Sequence, residues 1–222
     1  MRTPFSPIHL LLLLLFLLWL VFAINLQLMT LTFGKLGLDP QSALLLLMTS
    51  LFGSVINLPL FSMPCEQPPQ TPLELRPSGL LRPPQMPFTG QTRVAVNVGG
   101  CLVPLFFSVY LMRHNPLQPG QVVLAVATVA ALSFWLSRPL PGIGIGMPIL
   151  VGPIAAAFIA ITLGGEQRAP LAYIAGTLGV LIGADLLRLK DIRQMGAPLA
   201  AIGGAGTFDG IFMTGLVAVL LT

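Results

Sequence analysis

Seven long apolar runs follow one another along the chain, from Ile8 to about Leu31, Ser42 to Phe61, Val94 to Met112, Val122 to Leu136, Met147 to Leu163, Leu171 to about Leu189, and Pro198 to Leu221. A helix needs roughly 20 apolar residues to cross the hydrocarbon core of a bilayer, so most of these runs are of spanning length. The pattern predicts an all-α, polytopic helical membrane protein with about seven transmembrane helices, six and eight being the alternatives. The run from Val122 is short for a crossing, which leaves a tilted or re-entrant element open there. The first run, behind Arg2, continues through Phe22, Ile24 and Leu28, beyond the 7 to 15 residues of a secretory hydrophobic region, and predicts a retained first helix.

Between the second and third runs the chain carries Pro64, Pro68, Pro69, Pro72, Pro77, Pro83, Pro84 and Pro87. Each proline removes a backbone donor and fixes φ, so residues 62–92 are expected to form an extended loop within a single membrane domain of residues 1–222. With seven spans, Arg2, Arg76, Arg82, Arg93, Arg138, Arg188, Lys190 and Arg193 share one side, while Lys35, Arg113 and Arg168 share the other. Positive charge marks the cytoplasmic side. The amino terminus and the proline-rich loop are therefore expected in the cytoplasm and the carboxy terminus outside.

Composition strengthens this reading. Of 222 residues, 55% are hydrophobic and 8% charged, with a mean hydropathy of +0.90. A soluble domain has about 25% charged residues. The net charge of +4 comes from few, scattered cations at the ends of apolar runs, so nucleic acid is not expected as a partner; the bilayer is. The 23 glycines and 21 prolines predict broken, kinked or closely packed helices. Cys65 and Cys101 supply no disulfide framework, and no cluster of His, Cys and acids has metal-ligand spacing, so neither a metal nor a cofactor is expected.

Candidate chemistry lies where polar groups are costly. Asp185, in LGVLIGADLLRL, and Asp209, in AIGGAGTFDGIF, fall inside apolar runs, where a charged side chain costs at least about 2.5 kcal/mol. Gly196, Ala197 and Pro198 stand midway between them, and a helical hairpin turning there would put both acids at one depth, able to share a proton and activate water. Arg188, three positions after Asp185, offers a structural ion pair as the plainer account of that acid. Asn57, Asn97 and the glycines of PGIGIGMP, Gly142 and Gly144 among them, are expected at the same cytoplasmic level, with Gly206 and Gly210 flanking Asp209. Together these residues predict a polar cavity lined partly by irregular backbone.

The combination of GSVINLPLF, NVGGCLVPL, PGIGIGMP, GTLGVLIGADLL and IGGAGTFDGIF resembles an uncharacterised prokaryotic family of multi-pass membrane proteins, a domain of unknown function, from about Gly53 onward. The resemblance implies an inner-membrane location and brings no activity. A second likeness is to the intramembrane aspartyl peptidases, the presenilin, signal-peptide-peptidase and prepilin-peptidase group, which carry one aspartate on each of two helices, the second within GxGD. Gly206 and Asp209 match the outer positions of that motif, with Phe208 at its second glycine. This likeness implies that Asp185 and Asp209 are catalytic and that the substrate is a membrane protein or peptide. A proton- or cation-coupled transporter and a non-catalytic accessory or scaffold subunit, alone or in a homo-oligomer or larger membrane complex, are the other functions the same residues allow.

Overall fold

The computed structural model describes residues 15–17, 20, 27–66, 90–140, 144–194, 199–204 and 210–222. The chain is mostly helical. Residues 15–17, 20 and 27–35 of the first apolar run are helical, and 27–35 is named α1 here. There follow α2 (Pro40–Gly53), β1 (Asn57–Pro64), β2 (Gln91–Asn97), α3 (Val103–His114), α4 (Pro119–Leu136), β3 (Arg138–Leu140), β4 (Gly144–Gly146), α5 (Val151–Leu163), α6 (Arg168–Val180), β5 (Leu199–Ile202) and α7 (Gly210–Leu220). Two helices lengthen through wide π-type turns: Val98–Leu102 leads into α3, and Leu181–Leu186 continues α6.

The expectation of an all-α fold needs correction, because β1, β2 and β5 form a three-stranded sheet and β3 pairs with β4. Strand β1 runs antiparallel to β2, with a bulge between Pro59 and Phe61, and β2 runs parallel to β5. The second, third and seventh apolar runs are thus each part helix and part strand. In the second, Pro59 and Pro64 cannot continue α2, and the chain extends after Gly53. In the third, Val94 and Val96 favour a pleated backbone until the chain winds up at Val98, where the Gly99–Gly100 pair follows. The helical hairpin expected between Asp185 and Asp209 is likewise interrupted, by a 3₁₀ helix at Leu189–Gln194 and by β5. Of the proline-rich loop, Ser62–Pro64 belongs to β1 and Gln91–Thr92 to β2, while residues 67–89 lie outside the described residues.

Among the described residues, two helices are long and apolar enough to cross a membrane, Pro119–Leu136 and Gly165–Leu186. The first resolves the short run at Val122 as a continuous helix of 18 residues. Shorter apolar helices occupy Pro40–Gly53, Val98–His114, Val151–Leu163 and Ile211–Leu220. Helix α6 is the centre of the bundle, packed on by α3, α4, α5 and α7 and buried along most of its length, whereas most residues of α4 are exposed or half-buried. Gly179 faces Val129 and Gly183 faces Ala130 and Ser133, so α4 and α6 run parallel. Gly152 faces Val180 and Gly176 faces Ala156, so α5 runs antiparallel to α6; Thr214 meets Gly152 at the level of Val180 while Ala218 meets Gly176, which sets α7 antiparallel to α6 too. Small residues at these crossings let helices approach closely where no large side chain has to be accommodated.

The bundle has two different ends. At one lie Lys35, whose ammonium donates to the carbonyls of Val219 and Leu220 at 3.3 Å each, and the first turn of α2. A cation at the carbonyl end of α7 is favoured by the helix dipole. Asp39 caps α2, its carboxylate accepting from the amides of Gln41 and Ser42 at 3.1 Å, with Pro40 in the first turn. The Ser42 bonds hold the exposed Asp39 carboxyl below its ordinary value. A depressed folded pKa contributes stability above the unfolded value and loses it as pH falls. Amide exchange at Gln41 and Ser42 is accordingly expected to be faster in Asp39→Ala than in the wild type at neutral pH, with the two converging once the pH drops below the carboxylate range. A difference that persists in acid would show that the charge is not what caps α2. At the opposite end sit the sheet, the β3–β4 hairpin and the 3₁₀ helix, where Ile192 is buried against Met63, Ile145, Leu189 and Ala200.

Candidate functional site: a polar junction between two widened helices

The sharpest polar feature inside the fold is the meeting of β1, β2 and the Val98–Leu102 turn. Asn57 and Asn97 are opposite one another in the β1–β2 ladder. The Asn97 side-chain amide donates to Asn57 Oδ1 at 3.0 Å and to the Ser54 carbonyl at 2.6 Å, while its Oδ1 accepts from the Gly100 amide at 2.8 Å. Asn97 is fully buried, and its amide oxygen and both of its N–H donors are engaged. The Ser50 hydroxyl donates to the Gly99 carbonyl at 2.8 Å, and the Val98 amide to the Ile56 carbonyl at 3.0 Å. Helix α2 and the start of α3 are thereby locked at the level where both strands leave the bundle.

Asp185 sits at the same junction. It lies in the Leu181–Leu186 turn, half-buried, and its Oδ2 accepts from the Gly203 amide at 2.8 Å. Gly203 and Gly204 end β5 with φ of 83° and 91°, a left-handed backbone that glycine adopts at little cost. A Cβ on Gly203 would stand 2.6 Å from the Cys101 Cβ and 2.8 Å from the Gly100 carbonyl carbon. One glycine therefore bridges both widened helical turns, donating to Asp185 on one side and packing against Gly100–Cys101 on the other. Asn57, Asn97 and Asp185 are in this way parts of one contact chain, through Gly100, Cys101 and Gly203. Turns of this π type inside α-helices frequently mark functional sites.

The plainer account of Asp185 fares differently from the expectation. Arg188 is engaged elsewhere: it pairs with Asp191 at 3.0 Å, donates to the carbonyls of Phe134 and Ser137 at 2.6 and 2.9 Å, and stacks 4.3 Å over the Phe134 ring. It caps the end of α4 and ties that helix to α6. The i,i+3 spacing that suggested an Asp185–Arg188 pair is satisfied three positions later, by Arg188 and Asp191.

The glycine-rich segment differs from expectation too. Gly144 and Gly146 bound β4, which pairs with Arg138–Leu140 as a short hairpin, so irregular backbone is not what this segment contributes there. Gly142 lies outside the described residues, as do Gly206 and Asp209; Gly210 opens α7. Gly203 and Gly99 are legible in the sequence as glycines that allow unwound or closely packed backbone, but sequence reasoning missed Ser50, Gly53 as the partner of Gly99, and the bond from the Gly203 amide to Asp185. The GG doublets at 99–100 and 203–204, each within two residues of the end of a valine- or isoleucine-containing strand, are the signal that points to these partners. Among the described residues, no group of three or more His, Cys, Asp or Glu is placed to hold a metal ion.

The fold thus defines a mostly helical protein with a small β-layer at one end and an acid-bearing junction beneath it. The chain belongs to the family described as protein of unknown function (DUF1614), whose sequence profile matches residues 51–221. No curated protein and no solved structure matches the chain.

Proposed function

We propose that the protein is a polytopic protein of the prokaryotic inner membrane whose Asp185 and Asp209 form an intramembrane acid pair that hydrolyses peptide bonds. The membrane reading is supported by the outer surface of the bundle. Leu45, Phe52, Phe106, Val123, Trp135 and Phe158 are each 68–76% exposed, so the helices turn large apolar side chains outward where a water-soluble bundle would carry a polar face. The cytoplasmic placement of the β-layer and the proline-rich loop rests on Arg93, Arg138, Lys190 and Arg193, exposed cations at that end.

The observation that carries the site is the Asp185–Gly203 hydrogen bond. A carboxylate in an apolar span is retained at a cost, and a fixed backbone donor, the Gly203 amide, holds this one in place. The register of α7 on α6 supports its pairing with Asp209. Thr177 lies opposite Gly215, and counting back along α7 while counting forward along the antiparallel α6 brings Gly210, the residue after Asp209 in the sequence, level with Ile182, within one turn of Asp185. In the proposed step one carboxylate accepts a proton from a water whose oxygen bonds to the scissile carbonyl carbon, and the other carboxyl gives its proton to the carbonyl oxygen. Collapse of the resulting gem-diol breaks the C–N bond, and the amine leaves with the transferred proton.

The test compares peptides from native membranes of cells carrying the wild type with those carrying Asp185→Asn and Asp209→Asn at equal expression. Fragments ending within or beside spanning segments are expected to fall at least about 100-fold in the variant. An unchanged fragment profile removes the peptidase step and leaves the two acids to proton or cation coupling, which flux through liposomes then measures.

A further inference from the structure

The end of α4 and the end of α6 form a feature that the acid site does not use. Arg188 draws the two helix ends together through the Phe134 and Ser137 carbonyls, the Ser137 hydroxyl and the Phe134 ring. This brings Arg138, the residue after Ser137, beside the 3₁₀ helix that carries Lys190 and Arg193, since β3 packs on that helix. Arg138, Lys190 and Arg193 are all exposed. The acids described at this end are Asp185, which accepts from the Gly203 amide, Asp191, already engaged by Arg188, and Glu66, whose amide donates to the Arg193 carbonyl at 2.8 Å, against Arg93, Arg138, Arg188, Lys190 and Arg193. Positive charge is therefore in excess. Directly beside it stand apolar side chains turned outward: Trp135 is 76% exposed and Leu187 56%.

Cations at one level and an exposed indole and leucine at the next match an amphiphile with an anionic head and an apolar tail. A soluble polyanion would use the cations and leave Trp135 and Leu187 in water. We propose that the α4–α6 junction binds the headgroup phosphate of an anionic phospholipid, with Arg138, Lys190 and Arg193 facing the phosphate and Trp135 and Leu187 lying along the acyl chains. The site rests on the membrane reading above and is independent of the acid pair.

Trp135 reports on it directly, because the chain has two tryptophans and Trp19→Phe leaves Trp135 alone. The full chain with Trp19→Phe is reconstituted into phosphatidylcholine bilayers containing a small fraction of lipid with brominated acyl chains, either phosphatidylglycerol or phosphatidylcholine. Brominated phosphatidylglycerol is expected to quench Trp135 with an apparent affinity about fivefold or more above that of brominated phosphatidylcholine, since each near-surface cation contributes about that factor. The preference is expected to shrink at high salt and to approach unity in Arg138→Gln, Lys190→Gln, Arg193→Gln. Equal quenching by the two lipids overturns the lipid site while leaving the membrane reading intact, and so does a preference that survives the triple variant. No quenching by either lipid places Trp135 outside the bilayer and removes the membrane reading itself.

Discussion

Gly99→Ala is expected to prevent accumulation of folded protein. A Cβ at this position would overlap the Ser50 carbonyl oxygen and the Ser54 amide nitrogen, and would lie 2.9 Å from the Gly53 carbonyl carbon. All three are backbone atoms of α2 or its C-terminal cap, so no side chain can rotate aside. Relief requires the two helices to separate. Separation would break the Ser50 hydroxyl bond to the Gly99 carbonyl and disturb the Val98–Ile56 amide bond that joins the two turns. Overpacking of this kind costs about 1–3 kcal/mol where the surroundings can yield, and more where they cannot. With a buried hydrogen bond lost as well, about 4 kcal/mol or more is expected. That is a large share of the 5–15 kcal/mol that holds a typical domain together. Gly34→Ala is the matched control, since nothing lies within 4 Å of a Cβ there and the residue is helical. It is expected to be neutral or slightly stabilising. The comparison is the yield of monodisperse protein after detergent extraction, with thermal unfolding of whatever is recovered. Recovery of Gly99→Ala at wild-type yield and melting temperature would show that α2 and α3 do not cross as closely as described.

The helical content was readable in the apolar runs because α4, α5 and α7 carry no charged residue and α6 none after Arg168. The strands were hidden by the same property. β1, NLPLFSMP, is as apolar as the helix before it, and a short apolar run does not reveal by periodicity whether it is helix or strand. Proline was the available discriminator. Pro59 and Pro64 exclude a helix interior, a restriction that hydropathy alone does not register. β5, LAAI, is too short for any period to appear, and its place in the sheet is fixed by pairing with residues over 100 positions away, which local pattern cannot encode.

The candidate site was legible where cost made it so. Asn57, Asn97 and Asp185 stand out as polar groups in apolar surroundings, and the structure joins all three through one chain of contacts. What the sequence could not supply was the intermediary. Gly203 carries no side chain, and its importance lies in a backbone amide and a left-handed φ, neither of which is written in composition. The Arg188 assignment failed for a related reason. The i,i+3 rule holds in both directions along a helix, and what selects Asp191 over Asp185 is the end of α4, a tertiary partner. Local spacing proposes pairs, and the neighbouring helix chooses between them.

Asn97→Leu tests whether that junction holds the bundle together. The side chain is fully buried and makes three hydrogen bonds, to the Gly100 amide, the Ser54 carbonyl and Asn57 Oδ1. Leucine has similar volume and none of the polarity, so little empty space is left. What remains is an amide at the start of the Val98–Leu102 turn without its cap and a carbonyl at the end of α2 without its donor. An orphaned buried polar group costs about 1–3 kcal/mol. Asn57 is half-buried and can turn towards water, so its loss counts for less. Allowing for two orphaned backbone groups and the cap, about 4 kcal/mol of destabilisation is expected. Asn97→Asp separates the terms. It keeps the oxygen that accepts from Gly100 and loses both donors, so it is expected to fall between leucine and the wild type, and lower pH should bring it closer to the wild type as the protonated acid regains a donor. Unfolding of the three proteins in the same detergent gives the order directly. If Asn97→Leu unfolds within about 1 kcal/mol of the wild type, the hydrogen bonds of Asn97 do not hold α2 to α3, and the rigidity of the junction that positions Gly203 beneath Asp185 must come from packing alone.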